Sequence, residues 1–289
     1  MKLFKVAGHI IAIEADGSID ILHLLPGFRP FEWNGCGEAV ISVNVSTTWD
    51  WDICGKEVGQ FDVGGTNHGV YMTNDGGYQF EVSDVSGYLC ARMQVNRDFS
   101  VCKVRLYDGT WSQQNFGLNN CMMMAYAFAT AESDTLLIHS SVIRCNGKGY
   151  LMTAPSGTGK STHTRLWYEN ITGCDLMNDD NPVIRIVDDK PMVFGSPWSG
   201  KTPCYRNIQA PIGGIVRIQQ KTENSIRRLK PVEAFAMLLP ACSSMKWDAR
   251  VYSGVCDSIS LFVSKCRIWE LGCLPNAEAA HLCHDTIAE

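Results

Sequence analysis

Residues 149–161 read Gly-Tyr-Leu-Met-Thr-Ala-Pro-Ser-Gly-Thr-Gly-Lys-Ser, an apolar run that breaks into a glycine-bearing loop ending in Lys-Ser. Successive backbone N–H groups in such a loop form a nest for an anion, and the helix that follows adds its N-terminal donors and the positive end of its dipole. The chemistry this implies is phosphate binding. Ser156, Gly157, Thr158, Gly159, Lys160, Ser161 and Thr162 would cradle a nucleotide, Lys160 reaching the β- and γ-phosphates and the Ser161 hydroxyl ligating Mg²⁺. The usual form of the loop has glycine where this chain has Ala154. That difference matters only if the backbone there needs φ > 0, which glycine reaches freely and alanine does not.

A second cluster follows closely. Asp179 of Asn178-Asp179-Asp180-Asn181-Pro182 stands nineteen positions after Lys160. That is room for one helix of ~10 residues, about 15 Å long, and a return strand. Adjacent carboxylates at a strand end point in opposite directions, so they can divide two tasks. One can hold Mg²⁺ while the other takes the proton of an attacking hydroxyl. His139, in Leu-Leu-Ile-His-Ser-Ser-Val-Ile, reads either as a core histidine of an apolar strand or as a group that orients a carboxylate.

The elements that must position these residues are readable in outline. Thr135–Cys145 and Lys148–Ala154 are two apolar runs joined by Asn146-Gly147, a strong hairpin signal. The strand entering the glycine loop then pairs antiparallel with its predecessor, unlike the parallel arrangement of common nucleotide-binding α/β domains. Ser161–Glu169 reads as a short helix ending near Gly173. Beyond Arg227 the pattern gives helices at 232–239 and 255–265, a strand at 266–271 and a final helix opening at Pro275-Asn276-Ala277. His281 and His284 in that helix read as solvated or capping groups, although three-residue spacing would let both touch one metal.

The first ~115 residues read as strands on alternation and turn signals: Val6–Ile13, Ala39–Val45, Tyr78–Val82, Leu89–Val95 and Val101–Tyr107. A Met- and Ala-rich helix is expected at 117–131, capped by Asn119 or Asn120. The expected division is therefore a β-rich accessory domain at 1–116 and an α/β nucleotide-binding domain at 117–289. Trp33, Trp49 and Trp51 fit core or rim positions better than a recognition surface.

A net charge of −5 argues against nucleic acid, which needs a basic face. No apolar run reaches the ~18 residues that span a bilayer, and the N-terminal residues lack the apolar stretch of a signal peptide. The expected location is cytoplasmic. Thirteen cysteines occur singly, without a Cys-x-x-Cys pair, and are expected to be reduced core residues. A homo-oligomer is compatible with the sequence.

Taken together, His139-Ser-Ser-Val-Ile, the Asn-Gly hairpin, Ala-Pro-Ser-Gly-Thr-Gly-Lys-Ser and Asn-Asp-Asp resemble the bacterial HPr kinase/phosphorylase catalytic domain. More broadly they resemble the phosphoenolpyruvate carboxykinase-type P-loop fold, over roughly residues 118–220. The resemblance implies an ATP- and Mg²⁺-dependent phosphotransferase with a mixed sheet, acting on a hydroxyl, with serine as the expected acceptor type. It implies Asp179 as the base, with His139 and Lys160 as its catalytic companions, and Asp180 beside Ser161 as the metal ligand. Thr162 stands where the kinase loop has Glu, and the loop that binds the HPr protein is absent. Those departures favour a peptide, another protein or a small molecule as acceptor. Carboxykinase-type transfer, or a nucleotide-binding scaffold with little catalysis, are the alternatives. The segment 193–206 carries Trp198, Lys201 and Arg206. It reads either as a wall and cation for the transferred group or as a surface loop whose Trp covers the core.

Overall fold

The structure, a computed structural model, describes every residue except Ser18, Gly64, Lys201 and Glu289, and only the backbone of Asp62 and Val63. Packing divides the chain into two units, Met1–Thr130 with Met245–Ala249, and Ala131–Ser244 with Arg250–Glu289.

The first unit is built on an eight-stranded sheet. Its strands are β1 (Lys2–Val6), β2 (His9–Ala15), β3 (Ile41–Ser46), β4 (Lys56–Val63), β5 (Thr66–Met72), β6 (Tyr78–Ser83), β7 (Leu89–Val95) and β8 (Val101–Leu106), in the order β1-β2-β3-β8-β7-β6-β5-β4. The expected single strand at 6–13 is instead a hairpin. Ala7 and Gly8 both take positive φ, 49° and 89°, and reverse the chain. Two strands that alternation did not show, β4 and β5, complete the sheet. After a short helix α1 (Ile21–Leu24), the long helix α2 (Trp111–Ala129) packs across β6, β7 and β8. Its start is set by Thr110, whose side chain caps the Gln113 N–H while Gln113 returns a bond to the Thr110 N–H. The helix therefore begins before Asn119 and Asn120, and Asn120 is buried within it. Because Leu118, Met122, Tyr126 and Phe128 bury with Phe80 and Phe99, α2 belongs to the first unit. Division by packing thus falls at 130/131 rather than at 116/117.

The second unit is α/β with a nine-stranded mixed sheet. Its elements are β9 (Thr135–Leu137), β10 (Ser140–Cys145), β11 (Lys148–Thr153), α3 (Lys160–Asn170), β12 (Cys174–Asp180), β13 (Val183–Val187), β14 (Lys190–Phe194), β15 (Gln209–Gln220), β16 (Ser225–Arg228), α4 (Pro231–Leu238), α5 (Ala249–Lys265), β17 (Ile268–Cys273) and α6 (Ala277–Ile287). The order β12-β10-β11-β15-β14-β13-β9 is extended by β17 on β15 and β16 on β17. The hairpin at Asn146-Gly147 forms as expected, with φ of 49° and 78° at the two turn residues. β11 pairs antiparallel with β10 but parallel with β15, so the strand entering the glycine loop sits at the junction of both pairing types. One core of this unit gathers Ile143, Tyr150, Met152, Trp167, Val216, Leu271 and Cys283 under α3 and α6.

Cys145 and Cys174 stand opposite each other in the β10–β12 register, 4.2 Å apart at Cα, and form a disulfide. The expectation of thirteen reduced cysteines fails for this pair. They are 29 residues apart in sequence, and only strand register makes them neighbours. The other eleven are free thiols. No helix among the described residues is long and apolar enough to cross a membrane.

Candidate active site

Three chain ends meet beside the glycine loop, and the sheet explains why. β10 runs antiparallel to both β11 and β12, so the start of β10 and the ends of β11 and β12 lie together. The register makes this concrete: Ser140 is opposite both Thr153 and Asp180, and Ser141 is opposite both Met152 and Asp179. His139, just before Ser140, and the loop after Thr153 therefore emerge at the same edge as the two aspartates.

The loop itself turns at Pro155, whose carbonyl accepts from the Thr158 N–H at 3.3 Å. Gly157 and Gly159 take φ of 79° and 109°, which side chains rarely allow, and Gly159 is the N-terminal cap of α3. The N–H groups of the first turn of α3 have no intrahelical acceptor by construction, which leaves them as donors of the kind an anion can take. Ala154 does not have positive φ, and its methyl group is buried in the core with Met152 and Trp167. Alanine is therefore an ordinary packed residue at that position.

Alternation along β12 decides which carboxylate faces which partner. Asp179 shares a face with Met152, which packs under α3 with Trp167. On that face the Ser161 hydroxyl donates to Asp179 Oδ1 at 2.9 Å. Asp179 is buried, at 5% exposure. Asp180 is more open, its side chain 33% exposed, and its Oδ1 lies 3.1 Å from His139 Nδ1. Its other oxygen accepts from Asn181 Nδ2 at 2.7 Å. The resemblance pairs Ser161 with Asp180, whereas the geometry pairs it with Asp179.

Lys160 is folded inward. Its Nζ lies 2.7 Å from His139 Nε2 and donates to the carbonyls of Ala154 at 2.9 Å and Pro155 at 3.5 Å. Burial lowers its pKa, and the nearby Asp180 and Asp179 charges oppose that shift. His139 thus bridges Lys160 and Asp180. With Lys160 donating to Nε2, the ring proton sits on Nδ1 and faces the carboxylate. His139 is not inside a strand: it occupies the break between β9 and β10, where its N–H donates to the Ala241 carbonyl at 2.7 Å.

Asp180 also carries backbone strain, with φ of 146°. The residues around it are clamped. The Asp179 carbonyl accepts from the Gly200 N–H and the Ser199 hydroxyl, and the Asn181 carbonyl accepts from the Ser196 hydroxyl. Asn178, fully buried, ties the same segment down by donating to Ser196 Oγ and the Trp198 carbonyl. A non-glycine residue holds such a conformation only where its surroundings over-determine it, and such sites cluster where function needs them.

Several residues that spacing alone did not single out belong to this region: Asn178, Ser196, Ser199 and the Ser140-Ser141 pair. The buried Ser140 and Ser141 hydroxyls and Asn178 Oδ1 have no partner among the described residues. Two polar residues leading an apolar strand were the available signal. Trp198 is buried, so it is part of the core rather than a wall for an acceptor. Arg206 is committed to Asp175 and the Leu176 carbonyl. Lys201 lies outside the described residues. His163 is buried on α3, where Nε2 accepts from Trp167 Nε1 at 3.2 Å, and burial lowers its pKa to about 4. His284 packs edge-on against Trp167 and pairs with Asp285. Among the described residues no group of three or more His, Cys, Asp and Glu could hold a metal by itself.

A hydroxyl and one buried carboxylate beside an anion nest form a different kind of site. Mg²⁺ is commonly held by one or two protein oxygens together with phosphate and water, so Ser161 and Asp179 fit it without a full protein cage. No protein-family model matches the chain, and no curated protein matches it in sequence.

Proposed function

We propose that the chain binds a nucleoside triphosphate with Mg²⁺ and transfers a phosphoryl group to a hydroxyl, serine being the model acceptor, on a peptide, protein or small molecule. The observation that carries this reading is the convergence of an anion nest, the Ser161–Asp179 pair and the Lys160–His139–Asp180 chain at one strand edge. The strand feeding the loop from an antiparallel hairpin supports the HPr kinase and carboxykinase-type fold as its setting.

Ser156 to Thr162 hold the phosphates through backbone donors, and Lys160 supplies a mobile charge. Ser161 and Asp179 hold the metal, whose chemistry is to neutralise charge on the transferring group. Asp180, exposed and oriented by His139 and Asn181, accepts the proton as the acceptor oxygen attacks. The two aspartates thereby exchange the roles that the resemblance implies, because only Asp179 touches Ser161 and only Asp180 is open to an incoming acceptor.

The test is incubation with Mg-ATP and serine-containing peptides or small hydroxyl compounds, read by mass spectrometry for phosphate addition. D180N is expected to lose transfer while keeping Mg-nucleotide binding, and D179N to weaken metal-dependent binding. Wild-type protein that binds no nucleotide, or full transfer by D180N, would overturn the reading.

A further inference from the structure

The same site holds a device that goes beyond its chemistry. We propose that His139 cages Lys160 in the nucleotide-free protein, so that nucleotide must bind first and, by drawing Lys160 away, opens His139 Nε2 to the acceptor. This rests on the function proposed above and adds an order of events to it.

Acceptor counting carries the argument. A lysine ammonium has three N–H donors. In the structure it has three acceptors: His139 Nε2 at 2.7 Å, the Ala154 carbonyl at 2.9 Å and the Pro155 carbonyl at 3.5 Å. The group is saturated and only 9% exposed, so a phosphate oxygen can be reached only by giving up a partner. The two carbonyls belong to the loop that must remain in place to bind the phosphates. His139 is the one side-chain partner, and it belongs to a different segment, the break between β9 and β10. It is the partner most readily exchanged.

The consequence lies on the acceptor side. While Lys160 donates to Nε2, that nitrogen is blocked, and the Nδ1 side faces Asp180. A hydroxyl arriving before nucleotide meets a histidine with both nitrogens engaged. After Lys160 moves to a phosphate, Nε2 is open at the edge where the hydroxyl must approach. The charged groups paired with His139 are Lys160 from α3 and Asp180 from β12. From the segment after α4 it meets the Ala241 carbonyl, next to Cys242, whose thiol pKa burial raises.

The experiment measures affinity for Mg-AMPPNP by calorimetry in wild type, His139→Ala and His139→Gln, with thermal unfolding as the folding control. His139 is 38% exposed at its side chain, so truncation leaves no large void. Removing a bond that competes with phosphate should tighten nucleotide binding roughly 3- to 10-fold in H139A, the range of an ordinary net hydrogen bond. H139Q, whose amide oxygen can still accept from Lys160, should return toward wild type. In nitrogen-15 spectra the wild-type His139 Nε2 resonance should shift on adding Mg-AMPPNP without any acceptor present. Initial-rate kinetics should show ordered binding, nucleotide first. Equal or weaker binding by H139A, or an Nε2 resonance that does not move when nucleotide binds, overturns the caging alone. Wild-type protein that fails to bind Mg-AMPPNP overturns the caging and the proposed function together.

Discussion

Replacing Asp180 by glycine and, separately, by alanine should reverse the usual order of stability for these two residues. Both substitutions delete the carboxylate and its contact with His139, so that loss cancels in the comparison. What differs is the backbone at φ of 146°. Alanine retains the strain of a non-glycine residue in this region, about 1–3 kcal/mol, and glycine relieves it. Against this, glycine loses about 0.5–1 kcal/mol more conformational entropy on folding. The balance favours D180G over D180A by about 1 kcal/mol, whereas in a relaxed strand glycine would be the less stable of the two. For a unit of roughly 150 residues that corresponds to about 2–4 °C in Tm. Thermal and urea unfolding followed by circular dichroism measure it directly, and both variants should lose phosphoryl transfer. D180A as stable as D180G, or more so, would refute the claim that the clamp from Ser196 to Gly200 forces Asp180 into a costly conformation for the sake of its aim.

Other consequences follow from single residues. His163 is held neutral, with its pKa lowered by burial to about 4 from 6.5. Because the folded state binds this proton less readily than the unfolded state, the stability is present above pH 6.5 and is lost as pH falls toward 4. Between pH 7 and pH 5 this group should cost about 2 kcal/mol, a loss that urea titrations of H163Q should lack. Ala154→Gly removes a buried methyl group and adds backbone entropy without relieving strain, so it should destabilise by about 1.5 kcal/mol while leaving nucleotide affinity near wild type. Alkylation without reductant should leave Cys145 and Cys174 unlabelled in peptide mass spectra. Replacing both by serine should cost about 3.6 kcal/mol in unfolding experiments if loop entropy governs the 29-residue separation.

The parts legible in the chain were those encoded by neighbours. Asn146-Gly147 specifies its own turn, and the hairpin stands where it was expected. Gly157 and Gly159 mark positive φ, and Lys160 opens a helix of nearly the expected length. The terminal strand and helices were also placed to within a few residues, except that α5 begins at Ala249, earlier than its apolar pattern suggested. Failures came where a distant contact overrides local pattern. The run at 6–13 is mostly apolar, interrupted only by Gly8 and His9, which hides the two-residue turn at Ala7-Gly8. β4 lacks clean alternation because it is an outer strand, paired among the described residues with β5 alone.

At the candidate site the division is sharper. Composition and spacing determined that a glycine loop, a Lys-Ser pair, two adjacent carboxylates and a histidine lie within one stretch of chain. They could not determine which aspartate meets Ser161, because side chains alternate and a shift of one residue in register exchanges the two faces. The pairing of β12 with β10 fixed that phase, placing Asp179 under α3 and Asp180 toward His139. Tertiary packing likewise buried Trp198, tied Arg206 to Asp175 and joined Cys145 to Cys174. Sequence names the groups available for chemistry. Their direction depends on pairing energies summed over strands far apart in the chain, and those exist only in the folded sheet.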